Sequence, residues 1–297
     1  MLPHSRRVRR ELRDLIELVL VPGLAAILPW RICYPLFQRL SHWRFLYRSE
    51  SENALREATQ RGWVDDPDRW IARRRLTTLL DHADQYLSHA RGDAWARKYI
   101  KAEGTWPDSA APGLLCTFHW GAGMWALHHA ALAGLQVHAM AAAPSKAKFP
   151  GRAVLYHYIV SRIGIVERIL KHPTLDASAH LRAALRALRK NEQLLAVVDV
   201  PADQFDASEA IAMLGMTARV PRALFRLAVD QQIPVTVFLC GIDWETGARH
   251  IRVTNLGVQD NVEALVKSVF GLLEEAIAKD PAAWHFWGEA ERFFERR

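Results

Sequence analysis

His119 follows an apolar run and precedes two glycines, in Leu114-Leu115-Cys116-Thr117-Phe118-His119-Trp120-Gly121-Ala122-Gly123-Met124-Trp125. An imidazole titrates near neutrality, so it can take a proton and return it, as a general base must. The pattern around it suits that work. A β-type run ends at the histidine, Gly121 and Gly123 let the backbone turn tightly and approach a ligand, and an apolar helix follows. Such a helix would aim unpaired N–H groups at negative charge forming beside the ring. The same local pattern describes a buried histidine closing a core strand, and the stretch alone leaves both readings open.

The remaining candidates argue mainly by exclusion. Helical neighbours such as His128 and His129 point in different directions, one expected buried and one exposed, whereas a helical metal pair needs a spacing of three or four. His138, His157, His172 and His180 show no ligand spacing. There is no G-x-G-x-x-G, no phosphate-cradling loop ending in Gly-Lys-Ser/Thr, and no G-x-S-x-G elbow, which argues against nucleotide binding and serine hydrolysis. No metal and no cofactor is expected. Cys33, Cys116 and Cys240 lie far apart, form no disulfide framework, and fit a reducing compartment.

Several elements must position the histidine. From Gly113 onward, strands are expected at 113–118, 135–140, 194–199, 233–240 and 250–255, most of them short continuous apolar runs as strands covered on both faces should be. Helical patterns at 121–133, 150–163, 176–190 and 218–231 lie between them. This alternation implies an α/β fold with a mostly parallel central sheet flanked by helices. Helices are also expected over 51–100, started by Asp66-Pro67-Asp68, and over 260–295 around Asp280-Pro281. Arg73-Arg74-Arg75 reads as a solvated face, or as a site for phosphate or an acidic carrier.

The chain of 297 residues is half apolar, carries a net charge of +7 and contains eleven tryptophans. The charge suits an anionic partner: a membrane surface, a nucleic acid, or an acidic carrier or cofactor. The arginines are not interleaved with aromatics along one stripe, so nucleic acid is not expected. The basic start Arg6 to Arg10 leads into an apolar run from Leu18 to Trp30, interrupted by Pro22 and Pro29 and too short for a confident span. It is read as an uncleaved amphipathic anchor over residues 1–45, lying on or dipping into a membrane from the cytoplasmic side. A buried helical hairpin is the alternative. Residues 46–297 are expected to form a single α/β domain.

The order and spacing of several blocks carry a resemblance: Phe118-His119-Trp120-Gly121, Ser161-Arg162-Ile163-Gly164, Leu194 to Asp199, Ala212 to Ala218, and Pro281 to Trp287. Together with the proline-broken N-terminus they resemble the lauroyl/myristoyl acyltransferases of lipid A biosynthesis, within the wider lysophospholipid acyltransferase superfamily. The resemblance spans nearly the full length. It implies a membrane-associated enzyme of the bacterial inner membrane's cytoplasmic face. Such an enzyme moves an acyl group from a thioester of acyl carrier protein or coenzyme A to a hydroxyl or amine, with His119 as general base. It also implies that Arg162 contributes to substrate binding.

The family places an acidic residue five positions after the histidine. Here that position holds Met124. Without an orienting acid the ring needs another acceptor, and Asp199 at a strand end on the same edge is the first candidate, Asp203 the second. Three outcomes stay open: a recruited acid, an amine acceptor that depends less on the base, or a scaffold that binds lipid or carrier without turnover. Met124, Trp125 and Leu127 are expected to line the acyl channel, with the oxyanion held by Gly121–Gly123 amides or a nearby arginine. Lys146, Lys148 and Arg152 are a candidate basic rim. Arg219 and Arg222, expected to begin a helix, suggest a changed acceptor.

Overall fold

The computed structural model describes residues 4–176, 181–201, 203 and 208–295. His180 lies outside them. The strands are β1 (Ile100–Glu103), β2 (Gly113–Thr117), β3 (Val137–Ala141), β4 (Leu175–Asp176), β5 (Gln193–Val197), β6 (Ser208–Met213), β7 (Met216–Pro221), β8 (Val235–Ile242) and β9 (Arg249–Gly257). The helices are α1 (His4–Leu15), α2 (Val21–Ile27), α3 (Trp30–Ser41), α4 (Arg48–Gln60), α5 (Pro67–Ala90), α6 (Asp93–Tyr99), α7 (Met124–Leu132), α8 (Ala153–Leu170), α9 (Leu181–Arg189), α10 (Ala223–Asp230) and α11 (Val262–Lys279).

Seven strands form one sheet in the order β1-β9-β8-β2-β5-β3-β4, in which only the β8–β9 pair is antiparallel. The α/β reading with a mostly parallel sheet therefore holds. β2 sits at the centre and, like β5, is buried along almost its whole length, as its unbroken apolar sequence requires. The crossover from β2 leads to β3 on one side, while that from β5 leads to β8 on the other. A crevice opens at such a reversal, beyond the C-terminal strand ends.

Residues 208–221 depart from expectation. Instead of a helix from 218, β6 and β7 pair as a two-stranded antiparallel hairpin. Leu214 and Gly215 both have positive φ, 53° and 72°, the turn that suits a right-twisted hairpin. Along β7, Ala218 and Val220 are buried while Thr217 and Arg219 face out, a period of two rather than 3.6. Arg219 is thus a strand residue, paired with Glu295 at 3.0 Å, and Arg222 only precedes α10.

The N-terminal segment is woven into the body. Ala25, Trp30, Cys33, Phe37 and Leu40 share one apolar core with Leu76, Leu79, Leu80 and Leu87 of α5 and with Trp125 of α7. No described helix is long and apolar enough to cross a membrane. Asp66 caps α5 by accepting from the Arg69 amide, as its Asp-Pro start predicts. The Arg73–Arg75 run does not form a solvated face. Arg74 and Arg75 are buried, and Arg73 is half-buried between Asp280 at 3.4 Å and the Trp244 ring.

Candidate active site

The β2–β5 register pairs Thr117 with Val197. His119 and Asp199 each lie two residues further on, so parallel pairing alone brings them out side by side at the sheet's C-terminal edge. Asp199 Oδ1 lies 2.9 Å from His119 Nδ1 and also accepts the His119 amide at 2.8 Å. Asp199 is buried, and its other oxygen accepts the Trp284 indole N–H at 3.0 Å. With the Nδ1 proton directed at the carboxylate, Nε2 carries the lone pair. The ring lines the crevice and keeps 40% of its side chain exposed. These are the fixed tautomer and oriented ring that a general base requires.

The segment after α11 holds this arrangement from the side. The Gly121 amide donates to Ala283 O at 3.0 Å, and the His285 amide donates to His119 O at 2.7 Å. The Phe286 ring stands edge-on to the His119 ring with centroids 4.5 Å apart. Buried Arg74 in turn fixes the segment, donating to Trp284 O at 2.9 Å and His285 O at 3.2 Å. His285 Nε2 lies 2.8 Å from Gly121 O, and burial pushes the pKa of this ring down to about 3, so it stays neutral. Trp284 and Arg74 acquire roles that sequence reasoning missed. The Pro281–Trp287 block was visible as a pattern, but nothing in its composition points to Asp199.

Gly121 is required where it stands. Its φ is +69°, and a Cβ there would collide with the Cys240 carbonyl. The amides of Gly121 and Ala122 are taken by Ala283 O and Cys240 O. This removes them as oxyanion donors and leaves the amides from Gly123 onward, at the start of α7, to face developing charge.

The crevice leads into a cavity of about 480 Å³, a volume typical of small-molecule sites. Met124 and Leu127 line it as expected, and Ile163, Val166, Val197 and Phe238 complete an apolar wall. Trp125 does not line it. Its side chain turns the other way and stacks on Trp95 with centroids 4.6 Å apart, because consecutive helical residues face different directions. Met124 is 2% exposed and is an apolar part of the cavity wall.

Arg162 lies at the cavity edge, but its guanidinium is engaged. It donates to Asp81 Oδ1 at 2.7 Å and to Tyr158 Oη at 3.2 Å. Burial opposes ionisation of Asp81, but the charge and hydrogen bond of Arg162 together with His285 and His82 outweigh it, holding the carboxyl down to about 2. Asp203 is not the partner of His119. It is surface-exposed and paired with Arg292 at 2.9 Å. Arg152 forms no basic rim with Lys146 and Lys148, because it grips Asp14 through two hydrogen bonds at 2.6 and 2.9 Å. His128 and His129 are both half-buried rather than split. His129 accepts the Trp106 indole N–H at 2.7 Å. Among the described residues no cluster of three or more metal-ligating side chains occurs.

No family model matches this chain, and no curated protein sequence matches it.

Proposed function

We propose that this protein is an acyltransferase that moves an acyl group from a thioester to a hydroxyl or amine, with His119 as general base and Asp199 as the group that orients it. The carrying observation is the 2.9 Å contact between His119 Nδ1 and Asp199 at the mouth of an apolar cavity. In the reaction the acceptor's oxygen or nitrogen forms a bond to the thioester carbonyl carbon, and His119 Nε2 takes the acceptor's proton. The carbon–sulfur bond then breaks, and the imidazolium returns the proton to the departing sulfur. The acyl chain occupies the apolar cavity, and α7's first amides face the oxyanion. The resemblance to the lipid A acyltransferases supports the same assignment, with acyl carrier protein or coenzyme A as the donor's carrier. Asp199 supplies from a neighbouring strand what Met124 does not supply from α7.

The same reading places the protein on a lipid surface rather than across it, on the cytoplasmic side. Among the described residues, seven of the ten large apolar side chains that stay exposed lie between residues 8 and 45: Val8, Leu12, Leu20, Ile27, Ile32, Trp43 and Phe45. Val8 and Leu12 are four apart and share a face of α1, with Arg6, Arg9 and Arg10 exposed beside them. Apolar side chains with arginines nearby suit anionic head groups.

The test incubates purified protein with acyl-carrier-protein and acyl-coenzyme A thioesters in the presence of a membrane lipid extract. Acylated product and free thiol should form, and His119→Ala should reduce both to background. Unchanged turnover in that variant would overturn the assignment.

A further inference from the structure

The arginines of the 73–75 run end in three different settings. Arg73 pairs with Asp280 and covers the Trp244 ring. Arg74 directs its terminal nitrogens at the carbonyls of Ala282, Trp284 and His285. Arg75 is 4% exposed, yet it has no hydrogen bond and no ion pair among the described residues. Its Nε is fully covered and unpartnered, while its terminal nitrogens keep a little contact with solvent. Burial pushes its pKa below the usual arginine value, but a guanidinium stays charged at neutral pH. A buried charge left unpaired is costly, and an opposite charge is what offsets it. Glu52 is the carboxylate that acts on Arg75, and Arg48 already holds it at 2.9 Å. Arg44 and Arg48 add positive charge of their own.

The surroundings say which anion fits. Leu46 and Leu76 share one apolar core, which sets Arg75 beside the loop 42–47 between α3 and α4. The loop is pinned from inside. Leu46 and Tyr47 are buried, and the Tyr47 amide and hydroxyl donate to Glu17 Oε1 and Glu17 O at 2.6 and 2.7 Å. Outward it presents Trp43 and Phe45, both more than half exposed, with ring centroids 5.3 Å apart. Arg44 stands between them in the chain, exposed and without a hydrogen bond or ion pair among the described residues. The guanidinium fork matches phosphate geometry. Aromatic side chains beside arginines suit the head-group level of a bilayer. A soluble phosphate would leave the two exposed rings unexplained.

We propose that Arg75 and Arg44 bind the phosphate of an anionic lipid head group, with Trp43 and Phe45 inserted beside it at the bilayer interface. The counter-charge that Arg75 lacks within the fold then arrives with the membrane. None of these four residues lines the cavity at His119. The inference therefore rests on the lipid-surface placement and is independent of the acyl-transfer chemistry.

The experiment sediments the full-length protein with vesicles of phosphatidylcholine alone, or of phosphatidylcholine and phosphatidylglycerol in equal parts, at one fixed salt concentration and with no thioester present. The parent should bind the mixed vesicles several-fold more tightly. Arg75→Met keeps the buried stem and removes the charge. It should weaken binding to the mixed vesicles about fivefold, the effect of one basic residue at a membrane surface. Its melting temperature without lipid should equal or exceed the parent's, because no internal partner is lost. Arg44→Gln, on the exposed part of the loop, should weaken binding similarly, and it decides alone should Arg75→Met fail to fold. Lys267→Gln, exposed on α11, loses the same charge and should bind as the parent does. Unchanged vesicle binding in Arg75→Met and Arg44→Gln overturns the proposal and leaves the lipid-surface placement standing. A parent that binds neither vesicle overturns both. Inorganic phosphate that raises the parent's melting temperature as much as the mixed vesicles do would assign the site to a soluble anion and overturn the lipid head group. Loss of acyl-carrier-protein binding in Arg75→Met, with vesicle binding intact, would overturn it in favour of a carrier.

Discussion

On one side of the cavity, His119 and Asp199 meet because two adjacent parallel strands end in register. On the other, Asp81 and Arg162 meet from α5 and α8, and Asp14 reaches Arg152 across 138 residues. The first side is fixed by backbone pairing at the centre of the sheet and needs only short reaches beyond it. The second is assembled from helices that have no ladder between them, so charged side chains set the spacing. Even the N-terminus of α8 is held this way, with the Ala153 and Val154 amides donating to the carboxylate of Glu11 on α1 at 2.7 and 2.9 Å. On the proposed function, the chemistry would sit on the stiff side, and the substrate would pass the side assembled through long-range ion pairs.

The comparison predicts that variants on the two sides fail differently. The largest effect belongs to Asp199→Asn. It keeps the shape but can no longer hold the Nδ1 proton as a carboxylate does, and the loss should reach about four orders of magnitude in turnover, ~5.5 kcal/mol of barrier. Circular dichroism and the melting temperature should change little. A rate within tenfold of the parent would remove Asp199 from the mechanism.

Met124→Glu restores an acid where the resembled family has one. At a site 2% exposed, on a wall that is apolar apart from the site residues, an unpaired carboxylate should cost about 3 kcal/mol of stability. Turnover should not rise, because Asp199 already occupies Nδ1. A gain in rate would mean that Asp199 is a poor substitute rather than a full one.

On the helical side, Asp14→Asn removes a carboxylate 4% exposed from an arginine 33% exposed. Breaking such a pair should cost about 2 kcal/mol, less than a fully buried pair because solvent reaches Arg152. Denaturant unfolding gives the stability. Turnover at saturating substrate should stay near the parent value, because Asp14 and Arg152 do not touch His119 or Asp199. A loss of kcat as large as that of Asp199→Asn would erase the distinction between the two sides.

The same division explains what could be read ahead of the structure. β2, β5 and β8 are nearly continuous apolar runs, and two runs leading to His119 and Asp199 imply a shared edge once the sheet is parallel. Arg74 and Arg75 looked solvated because a triple arginine usually is. The burial of Arg74 depends on α5 running beneath the segment after α11, a long-range fact with no local signature. The pattern over 218–231 reads as helical, which puts Arg219 at a helix start. The consecutive left-handed residues Leu214 and Gly215 override that propensity. Trp125 and Met124 are sequence neighbours of equal apolar character, and only the helix phase of α7 sends one to the cavity and the other to Trp95.

The smallest effect probes the seam where the two sides touch. His285 lines the cavity and packs against Arg74, and its folded pKa of about 3 lies below the ordinary 6.5 because burial disfavours the charged ring, with Arg74 adding to it. Above pH 6.5 the ring is neutral in both folded and unfolded chains, so its contribution to stability is fully present. Below 6.5 the unfolded chain takes up a proton that the folded chain refuses, and stability falls with pH at about 1.4 kcal/mol per unit until the folded pKa is reached. Other groups titrate in the same range. Burial raises both Asp84 and Asp280 to about 6, which works in the opposite direction. The clean quantity is therefore the difference between the parent and His285→Gln, whose amide can still donate to Gly121 O and accept from Arg74. That difference should shift by about 1.6 kcal/mol against the parent between pH 6.5 and 5, measured by urea unfolding at each pH. A difference that is flat across this range would mean that His285 protonates without leaving its partners, and that the seam yields rather than holds.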